Sequence, residues 1–491
     1  MLPFIHRRRA AAALVAIVLL AGGAAVAPAA ADDPASPSYD VAADLAHMAE
    51  AYGRITGPGG QLRNPAYLPA LISESSVVTT TQLLAQVADP LRLSLTPAVL
   101  VPGWNVGNPL RAGWVGSRGR AREVTFLNRF GARLNGTLYA PLPGARDPYT
   151  GERLAAPYPG VVITPGSVGG SQGMYEWLAQ DLAERGFLVL LYDVQGQGTS
   201  ETLPHVGGTA FPFCNPFGPV QGDEELGTKE VLGCPGVPFQ QLSNFTTGTV
   251  DALDFFTDRR ANPWWDLWDR TRLDRPTAPG RTRKIAVIGH SMGAFAASMA
   301  QEYDDRVATV VALDKLVAPH GFEPFAQGTI EPRVPALGVQ SEYGFSVVPW
   351  QLSGGNGIVP GPSPDGPDPM RERASGFEEW RRTGTDSMVV VPKASTHLEY
   401  TDIPLVLPAS RWGQALTSAY VQRWLDRYLR DGTQRALLAD TFRYLEPVGR
   451  GRWEPVALRR DGLLSDRYCS AYALGKGAAR RTDLDVVDAG C

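Results

Sequence analysis

Residues 284–293 read Lys-Ile-Ala-Val-Ile-Gly-His-Ser-Met-Gly, and small residues continue from Ala294 to Ala300. A short β-branched apolar run is a strand, and the small-residue stretch after it is a helix. Gly289-His290-Ser291-Met292-Gly293 is then the sharp turn between them. A serine hydroxyl is a weak nucleophile unless it is held exposed beside a base, and a G-x-S-x-G turn holds it so. The glycines let the backbone turn tightly, and the helix start beyond Ser291 offers free N–H groups to an oxyanion. In a chain with 53 glycines the pattern alone is weak, and an ordinary glycine turn competes with it. The strand before and the helix after favour a nucleophile elbow.

The surrounding pattern sets the fold class. Strand-like runs at Arg122 to Asn128 and Ala132 to Tyr139 are separated by a glycine turn at Gly131. Strands then fall at Gly160 to Thr164, Phe187 to Asp193, Val307 to Leu313, Ala336 to Gln340 and Ser387 to Val391. Helices fall at Met174 to Arg185, Ser243 to Arg259, Gly293 to Glu302, Arg371 to Arg382 and Ser410 to Arg430. Strand alternating with helix means an α/β fold, a mostly parallel central sheet with helices on both faces. The segment before it, 32–120, has helical stretches at Val41 to Tyr52 and Thr79 to Val87 and no recognisable chemistry. It is expected to be an extension packed on a catalytic domain spanning 121–491. Two loops are longer than such connections need, 203–240 and 352–370. The first is expected to wall a substrate cleft, with a surface flap as the alternative.

Arg7-Arg8-Arg9, an apolar run to Ala21 and Ala29-Ala30-Ala31 form an export signal over 1–31, cleaved near Ala31. The apolar run is short for a membrane span, and the Phe-Leu that follows a twin-arginine pair is absent, so a secreted protein using the general route is expected. Cleavage removes three arginines and no acid, taking the formal charge from −4 to −7. With the remaining arginines scattered, nothing points to nucleic acid. An even count of cysteines in an exported chain favours two disulfides. Cys214 with Cys234 and Cys469 with Cys491 are the pairs nearest in sequence. Metal binding competes poorly, because no C-x-x-C and no paired histidines occur.

A nucleophilic serine needs a base and the base an orienting acid, arriving in this strand-turn-helix arrangement as Ser, acid, His. Two histidines follow the elbow. His397 lies just past the last strand and is favoured over His320, which reads as a turn or cleft-lining residue. Glu342, after strand Ala336 to Gln340, is favoured as the acid, with Asp314 as its rival and Asp402 ordering the histidine loop. The oxyanion needs two donors: the N–H of Met292 and, from the loop Pro165-Gly166-Ser167-Val168-Gly169-Gly170, that of Ser167. That loop lacks a nucleotide-binding glycine pattern, and no cofactor is implied. Trp264, Trp265 and Trp268 read as packing rather than as a ligand platform. Met174 and Trp177 read equally as pocket lining or core.

Taken together, the elbow, Thr164-Pro165-Gly166-Ser167, the helix ending Leu182-Ala183-Glu184-Arg185-Gly186-Phe187, Tyr192 to Gly198 and Thr396-His397-Leu398-Glu399-Tyr400-Thr401-Asp402 resemble the α/β-hydrolases over roughly 120–430. The loop and histidine contexts are similar to the dienelactone-hydrolase-like group, including secreted cutinase-like polyester hydrolases and platelet-activating-factor acetylhydrolases. The C-terminal cysteine pair is also similar to that of bacterial cutinases. Glu342 stands where those families carry aspartate, and 32–120 and 203–240 have no counterpart in a minimal cutinase. The resemblance implies the α/β-hydrolase fold and a lipase-like serine esterase acting on small-molecule, lipid or polyester substrates without a membrane span. A peptidase or amidase with the same triad, or a non-catalytic binding protein on this fold, are the other readings.

Overall fold

A computed structural model describes residues 40–56, 64–89, 105–167, 170–201, 242–274, 281–317, 331–350, 366–402, 411–430 and 432–491. The export signal, Cys214, Cys234, the 203–240 insertion and His320 lie outside them.

The helices in the N-terminal segment are α1 (Val41–Thr56) and α2 (Tyr67–Ala88). The chain continues through β1 (Gly119–Leu127), β2 (Arg133–Pro141), β3 (Gly160–Thr164), α3 (Glu176–Ala183), β4 (Leu188–Tyr192) and α4 (Leu242–Thr257). Next come β5 (Ile285–His290), α5 (Met292–Tyr303), β6 (Val307–Leu313), β7 (Ala336–Val339), α6 (Phe377–Arg382), β8 (Ser387–Val390) and α7 (Arg411–Leu429). A hairpin, β9 (Thr441–Gly449) and β10 (Arg452–Arg459), precedes two short strands, β11 (Ala471–Leu474) and β12 (Arg481–Asp483).

Ten of these strands form one sheet in the order β1-β2-β4-β3-β5-β6-β7-β8-β11-β12. From β4 to β8 every neighbouring pair is parallel, and antiparallel strands extend both edges. The expected α/β class with a mostly parallel sheet is what the chain forms. The central strands are buried along their whole length, as parallel strands covered on both faces must be. On one face Leu178 and Leu182 of α3 and Trp424 and Leu425 of α7 join Val161, Ile163, Val189 and Val311 in one core. On the other, Leu253 and Phe256 of α4, Ala297 of α5 and Trp380 of α6 pack with Val162, Leu190, Val287 and Val310.

Some expected boundaries move for physical reasons. The single helix expected over Arg371 to Arg382 is two, Arg371–Ala374 and Phe377–Arg382. Gly376 sits at the break, and a Cβ there would lie 2.6 Å from the Leu316 carbonyl oxygen, so close packing and a poor helix former coincide. The helix expected from Thr79 is the second half of the longer α2, anchored at its start by Tyr67 and Leu71 against Leu110. Cys469 and Cys491 are disulfide-bonded with Cα atoms 6.3 Å apart, which ties down the last residue. Trp268 is buried edge-on to Phe256 with ring centroids 5.6 Å apart, and Trp264 and Trp265 pack at the margin of the same core. Among the described residues no helix is long and apolar enough to cross a membrane.

Candidate functional site

β5 lies in the middle of the sheet and delivers Ser291 at its C-terminal end, directly before α5. Ser291 has φ 56° and ψ −118°, a conformation that L-residues rarely hold. Its N–H donates to the Leu313 carbonyl on the next strand at 2.9 Å, and its own carbonyl accepts from Ala294 and Phe295, so both sides of the turn are pinned. The two flanking glycines are required sterically. A Cβ on Gly289 would sit 1.8 Å from the Gly293 carbonyl oxygen, and one on Gly293 would sit 2.3 Å from that of Thr164. Met292 is the first residue of α5, where an N–H has no intrahelical acceptor.

Strand register then decides which acid can take part. His290 pairs with Leu313, and Leu313 with Val339. Ser291 and Asp314 are therefore level on adjacent strands, about 4.8 Å apart in the pairing direction. Glu342 lies one strand further away and beyond the end of β7. His397, in the loop after β8, places its Nδ1 2.6 Å from Asp314 Oδ2. This corrects the sequence expectation: the acid against His397 is Asp314, not Glu342. Asp314 Oδ1 accepts from the Ser341 N–H at 3.1 Å, which fixes the carboxylate plane. Burial works to raise the Asp314 carboxyl, but the hydrogen bond and charge of His397, helped by Lys315 and the Ser341 N–H, outweigh it and hold it well below the usual carboxylate range.

Glu342 is occupied elsewhere. Its Oε2 is 2.5 Å from His47 Nε2 and accepts from the Ala394 N–H at 2.7 Å. Asp402 does not touch His397 through any hydrogen bond of the described residues. Its N–H donates to the Met174 carbonyl and its Oδ1 accepts from Gln414, and burial pushes its carboxyl up to about 7.

The loop after β3 lies against the elbow: a Cβ built on Gly166 would be 3.3 Å from Ser291 Cβ. The Gly166 N–H is already used, donating at 2.9 Å to the Tyr175 hydroxyl, while Ser167 next to it is half-buried at the turn. The Tyr175 hydroxyl is in turn 2.6 Å from His290 Nδ1, and His290 Nε2 is 2.8 Å from the His397 carbonyl oxygen. A carbonyl can only accept, so His290 donates from Nε2, and Nδ1 accepts from Tyr175. Burial, reinforced by the neighbouring His397, pushes the His290 imidazole down to about 3, so it stays neutral. One buried chain of hydrogen bonds thus joins the β3 loop, the elbow and the histidine loop. Phe345, partly exposed, closes one side with its ring edge-on to His397 at 5.0 Å.

Behind the β3 loop, buried Asp193 accepts from the Gln172 and Thr199 backbone N–H groups. Gln197 reaches forward to the Gly166 carbonyl. Sequence reading passed over Tyr175, His290 and His47. The first stands beside the flagged Met174, and the second stands inside the elbow motif itself. Nothing local marks His47, which is 295 residues from its partner.

Among the described residues two groups bring together metal-ligating residue types. Cys469, Asp485 and Cys491 include the disulfide, so their sulfurs are spent. His47, Glu342 and Asp466 cluster closely, but Glu342 faces Nε2 and Asp466 faces Nδ1 at 3.7 Å. Acids on opposite nitrogens of one ring do not converge on one ion. No family model matches the chain, and no curated protein matches it.

Proposed function

We propose that this chain is a secreted serine hydrolase of carboxylic esters on an α/β-hydrolase fold, with Ser291, His397 and Asp314 as its triad. The observation that carries the reading is the combination at adjacent strand ends: a serine held at positive φ before a helix, level with an acid bonded to His397 Nδ1.

In this reading the Asp314 carboxylate accepts from His397 Nδ1–H, which leaves Nε2 to take the proton of Ser291 Oγ as it attacks the ester carbonyl. The tetrahedral oxyanion is held by the N–H groups of Met292 and Ser167. His397 returns the proton to the leaving alcohol, and water releases the acyl group by the same steps. Export rests on the sequence of 1–31, and the Cys469–Cys491 disulfide is compatible with an oxidising compartment.

The test is a fluorophosphonate probe on the mature protein, with the adduct located by mass spectrometry, beside Ser291→Ala, His397→Ala and a panel of short to long p-nitrophenyl esters and an anilide. Labelling at Ser291 that both variants abolish, with ester turnover, is the expected result. Turnover of the anilide in preference to the esters would move the reading to an amidase, and a folded protein with neither labelling nor turnover would end it.

A further inference from the structure

The N-terminal helix α1 carries no motif, yet it is bonded to the loops that hold His397. Three of its polar side chains reach the 341–350 segment or its neighbours. His47 meets Glu342, Asp44 accepts from the Trp350 N–H at 2.8 Å and pairs with Arg467 at 2.8 Å, and the Tyr52 hydroxyl donates to the Val347 carbonyl at 3.0 Å. Between them Ala51 packs with Tyr343, Val347 and Ala394, with Met48 at the margin.

The segment α1 grips is zipped to the histidine loop. The Glu342 N–H donates to Ser395 Oγ, the Tyr343 N–H to the Ser395 carbonyl, and the His397 N–H to the Gly344 carbonyl at 2.8 Å. The strongest link is the Glu342 carboxylate, whose Oε2 takes the Ala394 N–H. Ala394 has φ 57°, costly for a residue with a Cβ, so this loop needs an external hold to keep its shape. Glu342 is 1% exposed, and its other oxygen, Oε1, has no hydrogen-bond partner among the described residues. Its hold on Ala394 therefore depends on His47, itself buried, as the side chain that keeps the carboxylate in place.

We propose that His47 is a positioning residue for His397: through Glu342 and the Ala394 N–H, the N-terminal helix sets the histidine loop. The consequence for turnover rests on the ester-hydrolase reading; the consequence for the loop does not. A segment without catalytic groups is thereby a working part of the site.

Two measurements on the full mature chain separate these. Amide hydrogen exchange of residues 392–400 reads the loop directly, and kcat and KM for p-nitrophenyl butyrate read the reaction. His47→Leu keeps bulk but leaves Glu342 without its partner. Exchange across Ala394 to His397 is expected to quicken about tenfold and kcat to fall about 10–100-fold with KM within about threefold, the scale of one buried polar group left unpaired. His47→Gln, whose amide can donate to Oε2, is expected to restore both to within about threefold. If His47→Leu does not fold, His47→Asn, too short to reach Glu342, carries the same expectations. Unchanged exchange in a folded variant, or equal losses for Leu and Gln, would overturn the proposal. Exchange that responds in a protein with no ester turnover would keep the clamp and sink the esterase reading, and turnover with unresponsive exchange would do the reverse.

Discussion

Asp314→Asn is the perturbation on which the structure makes its sharpest statement. The Ser341 N–H donates to Oδ1, so an asparagine at 314 must keep its carbonyl oxygen there and turn its NH2 toward the position of Oδ2. That NH2 then faces His397 Nδ1, 2.6 Å from Oδ2 in the native protein. An amide donor can meet only an unprotonated Nδ1, so the ring carries its proton on Nε2. A protonated Nε2 cannot accept from Ser291. The variant loses a charge-assisted hydrogen bond worth about 1.5–3 kcal/mol and must also invert the tautomer. Together these are expected to lower kcat by about 10³- to 10⁴-fold, or roughly 4–5.5 kcal/mol at 1.36 kcal/mol per decade. Glu342→Gln should stay within about tenfold, since its amide oxygen, in the place of Oε2, can still accept from both the Ala394 N–H and a His47 Nε2–H. The assay is steady-state hydrolysis of p-nitrophenyl butyrate by both variants, with circular dichroism and melting to show that each is folded. Asp314→Asn within tenfold of wild type while Glu342→Gln abolishes turnover would refute the assignment and return the acid to Glu342.

Tyr175→Phe leaves the Gly166 N–H and His290 Nδ1 unpaired in a dry site, so kcat should fall about 10–100-fold with little change in KM, and the urea midpoint should drop; unchanged kinetics would remove Tyr175 from the positioning chain. Ser291→Gly should be more stable than Ser291→Ala by ~1 kcal/mol, because glycine relieves φ 56° while both abolish turnover; equal unfolding midpoints would mean the elbow stores no strain. Asp402 carries a carboxyl raised by burial to about 7, so its contribution to stability is intact below the unfolded value of about 3.9 and is lost as pH rises through 7. Asp402→Asn cannot ionise, and its stability relative to wild type should improve by ~1–3 kcal/mol between pH 4.5 and pH 8 in urea unfolding; a gap that does not move with pH would show that Asp402 titrates normally.

The sheet was legible because its signal is local. Gly160 to Thr164 and Val307 to Leu313 are β-branched runs buried on both faces, and their ends are where the pattern of residues puts them. The elbow was legible for the same reason, since all the steric demands on Gly289 and Gly293 come from within the turn and from β3 beside it. The last two strands of the sheet, β11 and β12, carried no such mark. They are four and three residues long and owe their place to the pairing of β11 with β8 and of β12 with β11, and to the Cys469–Cys491 tie.

That Asp314 rather than Glu342 meets His397 was hidden because the sequence offers two carboxylates just past neighbouring parallel strands and no ruler between them. Its place after strand Ala336 to Gln340 favoured Glu342, whereas register favours Asp314, one strand closer to Ser291. Glu342 has a partner from far away in the chain: His47 meets its carboxylate, and that carboxylate in turn takes a backbone N–H of the loop that carries His397. Neither acid could do both tasks. A carboxylate bonded to His397 Nδ1 must sit level with the elbow, and one that holds Ala394 must sit beyond the strand end, under the loop. With two acids the site separates orienting the imidazole from shaping its loop. That separation predicts different failures, loss of the tautomer at Asp314 and loss of loop order at Glu342, rather than two degrees of the same one.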